Sequence, residues 1–241
     1  MDSQRLIPAV IIALGVAAAG WFVGRGFIKA RASDRYVTVK GVAEREVQSD
    51  IALWPIRFVA TSDNLAEAQG KIKRSIAAVY SFLRRAGIDS ASTEVQKTEV
   101  TDVLANPYRS GSTQSRYIIA QTIMVRTDQV SKVSSASQSV GALVDAGVVL
   151  SSTGGPDGGP TYLFTRLNAL KPDMIAEATA SARKAAEQFA KDSGSDLGSI
   201  RAANQGVFEI LPRDRAPGIF EGSQVNKTLR VVTTVEYLLE D

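Results

Sequence analysis

The segment VTVKGVAEREVQSDIALWPIRF, residues 37–58, decides the fold because it holds two strand patterns separated by a short polar stretch. Val37 and Val39 alternate with polar residues in the two-residue period of a half-buried β-strand. Residues 51–60, IALWPIRFVA, form a second strand pattern. Pro55 cannot donate a backbone hydrogen bond, which predicts an edge position or a bulge. The globular part of the chain therefore begins with two strands.

A first helix pattern follows over residues 64–86. Asn64 and Glu67 have the spacing of a capping box, and Gly87 suits the position just after the helix. A second, serine-rich helix is predicted over residues 128–146. Its intrinsic helix propensity is poor, so tertiary packing must stabilise it.

The third helix has the clearest sequence pattern. Pro172 suits its first turn and Gly194 suits the position after its end. Its predicted apolar face is rich in alanine and consists of Ile175, Ala178, Ala182, Ala185 and Phe189. Short side chains on this face allow a close approach to a sheet or to another helix.

The remaining apolar segments are short and predict strands. They cover residues 94–104, 116–127, 148–152, 161–167, 206–211 and 229–239. The element order is β-β-α-β-β, a linking helix and a second β-β-α-β-β. This order predicts an α+β fold of two structurally duplicated units, 35–127 and 128–241. We expect antiparallel sheets with the helices packed on one face.

An uncharged apolar run, LIPAVIIALGVAAAGWFV, occupies residues 6–23, before the globular part. At about 1.5 Å per residue it spans roughly 27 Å, close to the hydrocarbon thickness of a bilayer. We therefore predict a single transmembrane helix over residues 6–24, which makes the lipid bilayer a partner of the chain. A short tail of residues 1–5 precedes this anchor, and a linker of residues 25–34 follows it.

A cleaved signal peptide is the alternative interpretation of the same segment. Ala17 and Ala19 offer a small-residue cleavage site. The apolar run continues past them through Trp21 and Phe22, which suit a membrane interface. We favour the uncleaved anchor.

Two further properties of the anchor concern packing and orientation. Gly20 and Gly24 have the GxxxG spacing, which predicts packing between anchor helices. The basic residues after the anchor favour a cytoplasmic carboxy-terminal domain by the positive-inside rule. A short amino-terminal tail instead favours export of the carboxy-terminal domain. The anchor alone leaves both orientations open.

The composition excludes several classes of function. The chain contains no Cys and no His, which rules out disulfides, Ser-His-Asp and Cys-His catalysis, and zinc sites with those ligands. The net charge of +3 is modest, and we find no basic face interleaved with aromatic residues. We therefore expect no enzyme activity, no cofactor, no metal site and no nucleic-acid partner.

Two local patterns are chemically suggestive, and each has a simpler interpretation. Glu44, Glu46 and Asp50 are acidic and close in sequence, but they lack the spacing of a calcium loop, so we interpret them as solvated strand charges. The stretch GGPDGGP at residues 154–160 lacks the GK[ST] of a phosphate-binding loop. We interpret it as a hairpin turn.

Two long loops carry the candidate contact residues. Tyr108 and Arg109 occupy the predicted tip of the hairpin between the third and fourth strands. Ile219 and Phe220 lie in polar surroundings within the loop 211–226. Long loops with apolar residues often form contact surfaces, so we predict that these four residues make oligomer contacts. The alternative is that the apolar pair folds back over its own core.

Several of these segments together resemble one known family. Residues 39–43, VKGVA, and residues 49–52, SDIA, are similar to the opening strand and turn of the SIMPL domain, with Ser49 where proline is usual. Residues 175–198 resemble the alanine-rich helix and exit turn of that family, and residues 231–237 resemble its final strand. The resemblance covers almost the whole chain after the anchor.

The resemblance implies an exported bacterial envelope protein without established catalytic residues. Some members form large ring- or channel-like homo-oligomers, and some are linked to oxidative or envelope stress. This favours a single-pass protein of the bacterial inner membrane with its domain 35–241 in the periplasm. We expect a non-enzymatic protein that self-associates there. The alternative is a monomeric binding module for a small ligand or a partner protein.

Overall fold

Nine strands and five α-helices occur in the part of the chain that the computed structural model describes, namely residues 13–26, 35–105, 115–151 and 158–240. The strands are β1 (Tyr36–Gln48), β2 (Ile51–Ser62), β3 (Thr93–Asp102), β4 (Tyr117–Thr127), β5 (Val149–Leu150), β6 (Thr161–Leu163), β7 (Asp196–Gln205), β8 (Glu209–Pro212) and β9 (Asn226–Glu240). The helices are α1 (13–26), α2 (Leu65–Arg85), α3 (Val130–Gln138), α4 (Gly141–Asp145) and α5 (Leu167–Ser193). The predicted α+β class is confirmed.

These elements belong to two compact units, each assembled from separate stretches of the chain. Unit 1 comprises Met1–Glu44, Pro172–Phe208 and Arg230–Asp241, and unit 2 comprises Arg45–Lys171 and Glu209–Leu229. The predicted duplication of the β-β-α-β-β order stays a prediction.

A five-stranded sheet forms the framework of unit 2. Its strand order is β3-β4-β2-β5, and β6 also pairs with β2. Strands β2 and β4 pair in antiparallel register from Ala52 opposite Thr127 to Ser62 opposite Tyr117. Along these strands buried side chains largely alternate with less buried ones, and the buried ones form the core under α2, α3 and α4. A sheet with one face on the core requires this alternation. The largest of the fully buried apolar side chains in this core are Phe58, Leu83, Ile88, Ile123 and Leu143.

Pro55 lies within β2 but faces a gap in the sheet. On one side Pro55 is opposite Met124 of β4. On the other side β6 pairs with residues 51–53 and β5 with residues 58–59, so Pro55 falls between them. The carbonyl of Arg57 accepts a bond from that side, and alternate residues of a strand point the same way. Within the described ranges, no strand pairs with Pro55 on that side, which is the local edge position that a proline requires.

The sheet of unit 1 has the strand order β1-β9-β7. Helix α5 lies against β1 at unusually short range. A Cβ added at Gly41 would overlap the carbonyl oxygen of Ala178 and the amide nitrogen of Ala182, and would lie 2.8 Å from the Cβ of Ala182. The close approach expected of the alanine-rich helix is therefore confirmed, and it depends on a glycine in the strand.

The face of α5 that is buried differs in detail from the predicted one. Its buried residues recur at every fourth position and are Met174, Ala178, Ala182, Ala186 and Ala190. Phe189, which we predicted on the buried face, is 59% exposed. The helix also begins at Leu167, so Pro172 lies inside it rather than in its first turn. Small side chains at every fourth position let the helix pack closely on the strand, and larger side chains such as Phe189 lie on its solvent-exposed side.

Helix α2 confirms the predicted capping residues with one difference. The Asn64 side chain accepts hydrogen bonds from the amides of Ala66 and Glu67, and Gly87 has a φ of +74° after the helix. The Glu67 carboxylate does not complete the capping box; it accepts from the Ser62 hydroxyl at 2.7 Å.

The predicted helix over residues 128–146 is broken into α3 and α4. The hydroxyls of Ser137 and Ser139 donate to the backbone carbonyls of Ser134 and Ser135 near the break. Such local bonds compete with regular helix hydrogen bonds, and Gly141 adds a residue of low helix propensity.

The strands near the end of the chain differ from the prediction. Strand β7 covers residues for which we predicted no strand, and the strand predicted over 206–211 starts instead at Glu209. Most side chains of β7 are exposed, and the strand has bulges next to Ile200. Pairing with β9, rather than an alternating pattern of its own, determines this strand.

Residues 13–26 of the predicted anchor form α1, whose side chains are all exposed, and residues 6–12 lie outside the described residues. The guanidinium of Arg25 lies 5.4 Å from the ring centroid of Trp21. A Cβ at Gly20 or Gly24 would meet no neighbouring atom within 4 Å. Within the described ranges, no helix is long and apolar enough to cross a membrane.

Substituting Gly41 tests the close packing of α5 on β1. We expect Gly41→Ala to lower the free energy of unfolding by about 3 kcal/mol or more, because the new methyl group meets backbone atoms that side-chain rotation cannot move. The measurement is urea unfolding of the full-length chain in a mild detergent, followed by circular dichroism.

Gly70 provides the matched control. It lies inside α2, and a Cβ there would meet only the end of the Arg74 side chain at 3.8 Å. Gly70→Ala should raise the stability by about 0.5–1 kcal/mol, since alanine favours the helix. Equal effects of the two substitutions would contradict the packing described for Gly41.

Candidate contact surface and pocket

The loop between β8 and β9, residues 213–225, is here called the contact loop because it contains both predicted apolar contact residues. Its base is closed by two reciprocal hydrogen bonds. The amide of Asp214 donates to Oε1 of Gln224 at 3.1 Å, and Nε2 of Gln224 donates to the carbonyl of Asp214 at 3.1 Å. These bonds join the two ends of the loop, so its middle section is short and constrained.

A buried lysine holds the second half of the contact loop. Lys227, at the start of β9, is fully buried. Its Nζ donates to the carbonyl of Glu221 at 2.6 Å and forms an ion pair with the carboxylate of the same residue. An ammonium group taken out of water requires such compensation. The position of Glu221, and of the short 3-10 helix Glu221–Ser223 that it begins, is therefore determined by Lys227.

The apolar pair lies directly before that helix and is open to solvent. Phe220 is 55% exposed and Ile219 is 38% exposed. The Ser223 hydroxyl donates to the carbonyl of Phe220 at 2.8 Å, and Gly218 has a φ of +80°, which sets the turn before the pair. Folding back over the core therefore does not bury either residue, and their role as oligomer contacts stays a prediction. Tyr108 and Arg109 lie outside the described residues.

A pocket of about 500 Å³ lies beside the contact loop within unit 2. Its apolar walls come from Pro55, Tyr162, Phe220 and Val225. The volume is in the range of small-molecule sites. Pro55 lines this pocket, and on the side away from β4 no strand of the described residues pairs with it.

The glycine-rich stretch borders the same pocket. Gly158, Gly159 and Pro160 line it, and residues 154–157 lie outside the described residues. The contact loop approaches β6 closely here, because a Cβ at Gly222 would lie 3.1 Å from Cγ2 of Thr161.

Asp50 is the most strongly engaged carboxylate of the acidic cluster, and interpreting it as a solvated strand charge was wrong. Its side chain is only 8% exposed. It accepts hydrogen bonds from the amide and the hydroxyl of Thr165, both at 2.9 Å, and from Nε of Arg166 at 3.0 Å. These residues immediately precede α5, so Asp50 fixes the start of that helix. Within unit 1, Glu44 lies 3.4 Å from Nε of Arg230.

Two opposing effects act on the Asp50 carboxyl. Burial raises the pKa of Asp50, but the hydrogen bonds from Thr165 and the bond and charge of Arg166 together outweigh it. The pKa therefore lies below its ordinary value. The carboxylate form is the one that this environment stabilises.

The neighbouring residue Ser49 joins the same turn to the contact loop. Its amide donates to the carbonyl of Val225 at 2.8 Å, a bond that proline could not make. The amide of Asp50 donates to the carbonyl of Leu163 at 2.9 Å. The turn between β1 and β2 is thus attached to the end of β6 and to the end of the contact loop. Sequence spacing gives no sign of these partners.

Among the described residues, no group of three or more acidic side chains is placed to hold a metal ion. Comparison with protein families gives one match: the SIMPL model, described as a protein of unknown function (DUF541), matches residues 37–236. No curated protein matches the chain.

The role of Asp50 predicts a pH-dependent difference in stability. Asp50→Asn should cost about 1–3 kcal/mol at neutral pH, because the hydrogen bonds to the charged group are lost or weakened. Since the pKa of Asp50 is lowered in the folded state, its contribution is complete above the ordinary value of about 3.9 and disappears as pH falls through the folded pKa. Urea unfolding at several pH values should show the two proteins converging in acid.

Asp145→Asn is the control for this series, because Asp145 is exposed and has no side-chain hydrogen bond within the described ranges. It should change stability little at any pH. A constant difference between the parent protein and Asp50→Asn down to acid pH would contradict the role assigned to the carboxylate.

The buried ion pair predicts an asymmetry between its two partners. Glu221→Ala should cost about 3 kcal/mol, because it leaves the ammonium of Lys227 buried without a counter-charge. Lys227→Met should cost less, since the carboxylate of Glu221 is partly exposed and can be hydrated. The double variant should recover most of the loss caused by Glu221→Ala. Urea unfolding measures all three, and a double variant no more stable than Glu221→Ala would exclude the buried charge as the cause.

Proposed function

Because the chain belongs to the SIMPL family, we propose that it is a non-enzymatic, membrane-anchored envelope protein whose domain 35–241 self-associates through the contact loop. The anchor of residues 6–24 holds it in the bacterial inner membrane, and the domain lies in the periplasm. Its role is in tolerance of envelope or oxidative stress. The observation that carries the proposal is the exposed pair Ile219 and Phe220 on a loop that hydrogen bonds from Lys227 and Gln224 hold in place.

The braced loop favours a contact function on energetic grounds. Aromatic side chains are enriched among the residues that dominate binding energies at protein interfaces. Ordering a flexible loop costs binding free energy, and the bonds from Lys227 and Gln224 provide that order in advance. Phe220 can therefore be buried by a partner without rearrangement of the loop.

A second copy of the chain is the partner that the anchor favours. Copies confined to one membrane plane meet at a high effective concentration, so weak contacts suffice for assembly. Gly20 and Gly24 supply a second contact of the same kind, because small residues let anchor helices approach closely. The two contacts act on different segments and can be separated by substitution.

The residues that the chain contains support a non-enzymatic role. Nucleophilic catalysis through Cys or His has no residue available. Asp50, the carboxylate with the most complete set of partners in this region, is occupied by backbone and side-chain donors at the start of α5. A structural role accounts for all of its bonds.

Light scattering of the full-length chain in detergent tests self-association. We expect a discrete mass that is a multiple of the 25.7 kDa chain, and a fall towards one chain for Phe220→Ser. Phe189→Ser is the matched control, since Phe189 is equally exposed but lies on α5. Replacing Gly20 and Gly24 by Ile separates the contribution of the anchor. A single-chain mass for the parent protein would contradict the proposal.

A binding module is the second candidate function, favoured by the pocket of about 500 Å³ beside the contact loop. In that case the contact loop forms a wall of the ligand site and the chain acts as a monomer. Ser137→Trp, which fills the pocket from α3 and leaves the sequence of the contact loop unchanged, distinguishes the two functions. It should leave self-association intact if the contact loop is the interface.

A further inference from the structure

A second groove, remote in sequence from the contact loop, lies between the carboxy-terminal end of α2 and the helices α3 and α4. Its volume is about 520 Å³. Phe82, Ala86, Ala136 and Ala142 supply apolar surface to it. Beneath these helices the core is filled by larger side chains, such as the fully buried Leu143. The groove exists because the residues that α3 and α4 present towards the end of α2 are small.

Several serines of the α3 segment line this groove. Ser131, Ser135 and Ser139 line it alongside the alanines. The hydroxyls of Ser131 and Ser135 can each donate a hydrogen bond to an oxygen of a ligand, whereas that of Ser139 donates to the carbonyl of Ser135. Small polar side chains therefore surround an apolar floor, which is the usual composition of a small-molecule site.

The charge of the groove has one sign. Arg85 and Lys132 line it, and none of its described lining residues is acidic. An adjoining cavity of about 600 Å³ shares Arg85 and adds Arg84, and the described residues around it include no acidic one either. Lys132 donates to the carbonyl of Gly87 at 3.1 Å, whereas Arg85 has no carboxylate partner in the part of the chain that the structure describes.

Three acidic residues are close in sequence to the residues that line the groove. Asp89 accepts a hydrogen bond from the amide of Ala91, Asp128 precedes α3, and Asp145 lies at the end of α4; none of the three lines the groove. The planar guanidinium of arginine favours anionic groups such as carboxylate or phosphate, to which it can donate two parallel hydrogen bonds.

We propose that this groove binds a small amphipathic anion, with its apolar chain along the alanines and its head group between Arg85 and Lys132. The head group is a carboxylate or a phosphate. It belongs either to a free acyl anion or to an anionic lipid of the bilayer, and the chemistry of recognition is the same for both. The site is separate from the contact loop, so the proposal stands independently of self-association.

Calorimetric titration of octanoate into the full-length chain in phosphatidylcholine nanodiscs tests the site, with empty nanodiscs as the reference. We expect binding above the reference, and at least tenfold weaker binding of octanol and of octyltrimethylammonium. Arg85→Gln should weaken octanoate binding at least tenfold. Arg74→Gln is the control on the same helix, since Arg74 is exposed and does not line the groove.

Ala142→Trp supplies a second test that leaves the charge unchanged. Ala142 is exposed, so the larger side chain fills the groove without disturbing the core, and octanoate binding should be lost. Unchanged thermal unfolding of both variants shows that they are folded. Octanoate binding that survives both Arg85→Gln and Ala142→Trp, or none above the reference, would overturn the proposal.

Nanodiscs of phosphatidylglycerol identify the source of the anion. If phosphatidylglycerol competes with octanoate, and Arg85→Gln removes that competition, the natural ligand of the groove is a bilayer lipid. If octanoate binds equally well in phosphatidylglycerol and phosphatidylcholine nanodiscs, the natural ligand is a free anion. Either result supports recognition of an amphipathic anion.

Discussion

The conformation of the contact loop depends on the interaction between the buried ammonium group of Lys227 and Glu221. Lys227 has the only charged side chain in the fully buried class among the described residues, and its partners are the carbonyl and the carboxylate of Glu221. Because a buried charge cannot be left uncompensated, Glu221 has one position. That position fixes the short helix after Phe220 and exposes the aromatic ring. Other residues hold the loop at its base, but Lys227 determines which side chain it presents.

Two other single-residue constraints act on helix α5 and on the turn between β1 and β2. Gly41 allows α5 to lie directly on β1 within unit 1. Asp50 fixes the start of α5 within unit 2, and the adjacent Ser49 attaches the same turn to Val225 at the end of the contact loop. Each of these contacts is made by a single residue and holds a different part of the fold. An exposed surface on a chain that is anchored as proposed is suited to assembly in the plane of a membrane.

Local features of the fold could be predicted from the sequence, and long-range ones could not. Asn64 and Gly87 bound α2 as predicted, because capping depends on neighbouring residues. Strand β7 was missed since its side chains are mostly exposed and only its pairing with β9 makes it a strand. The partners of Asp50 lie 115 and 116 residues further along the chain. Lys227 and Glu221 are only six residues apart, but a lysine in a polar segment does not by itself indicate a buried side chain, so the role of Lys227 was also missed.

Photo-crosslinking from position 220 in membranes tests the central claim most directly. A photoreactive phenylalanine analogue in place of Phe220, in the otherwise unchanged full-length chain, reports which molecule covers the ring. The account predicts an adduct of twice the 25.7 kDa mass of the chain, whose peptides all come from this sequence. The same analogue in place of Phe189 should give no such adduct. Absence of the double-mass product from position 220, or crosslinks only to other proteins, would contradict self-association through the contact loop.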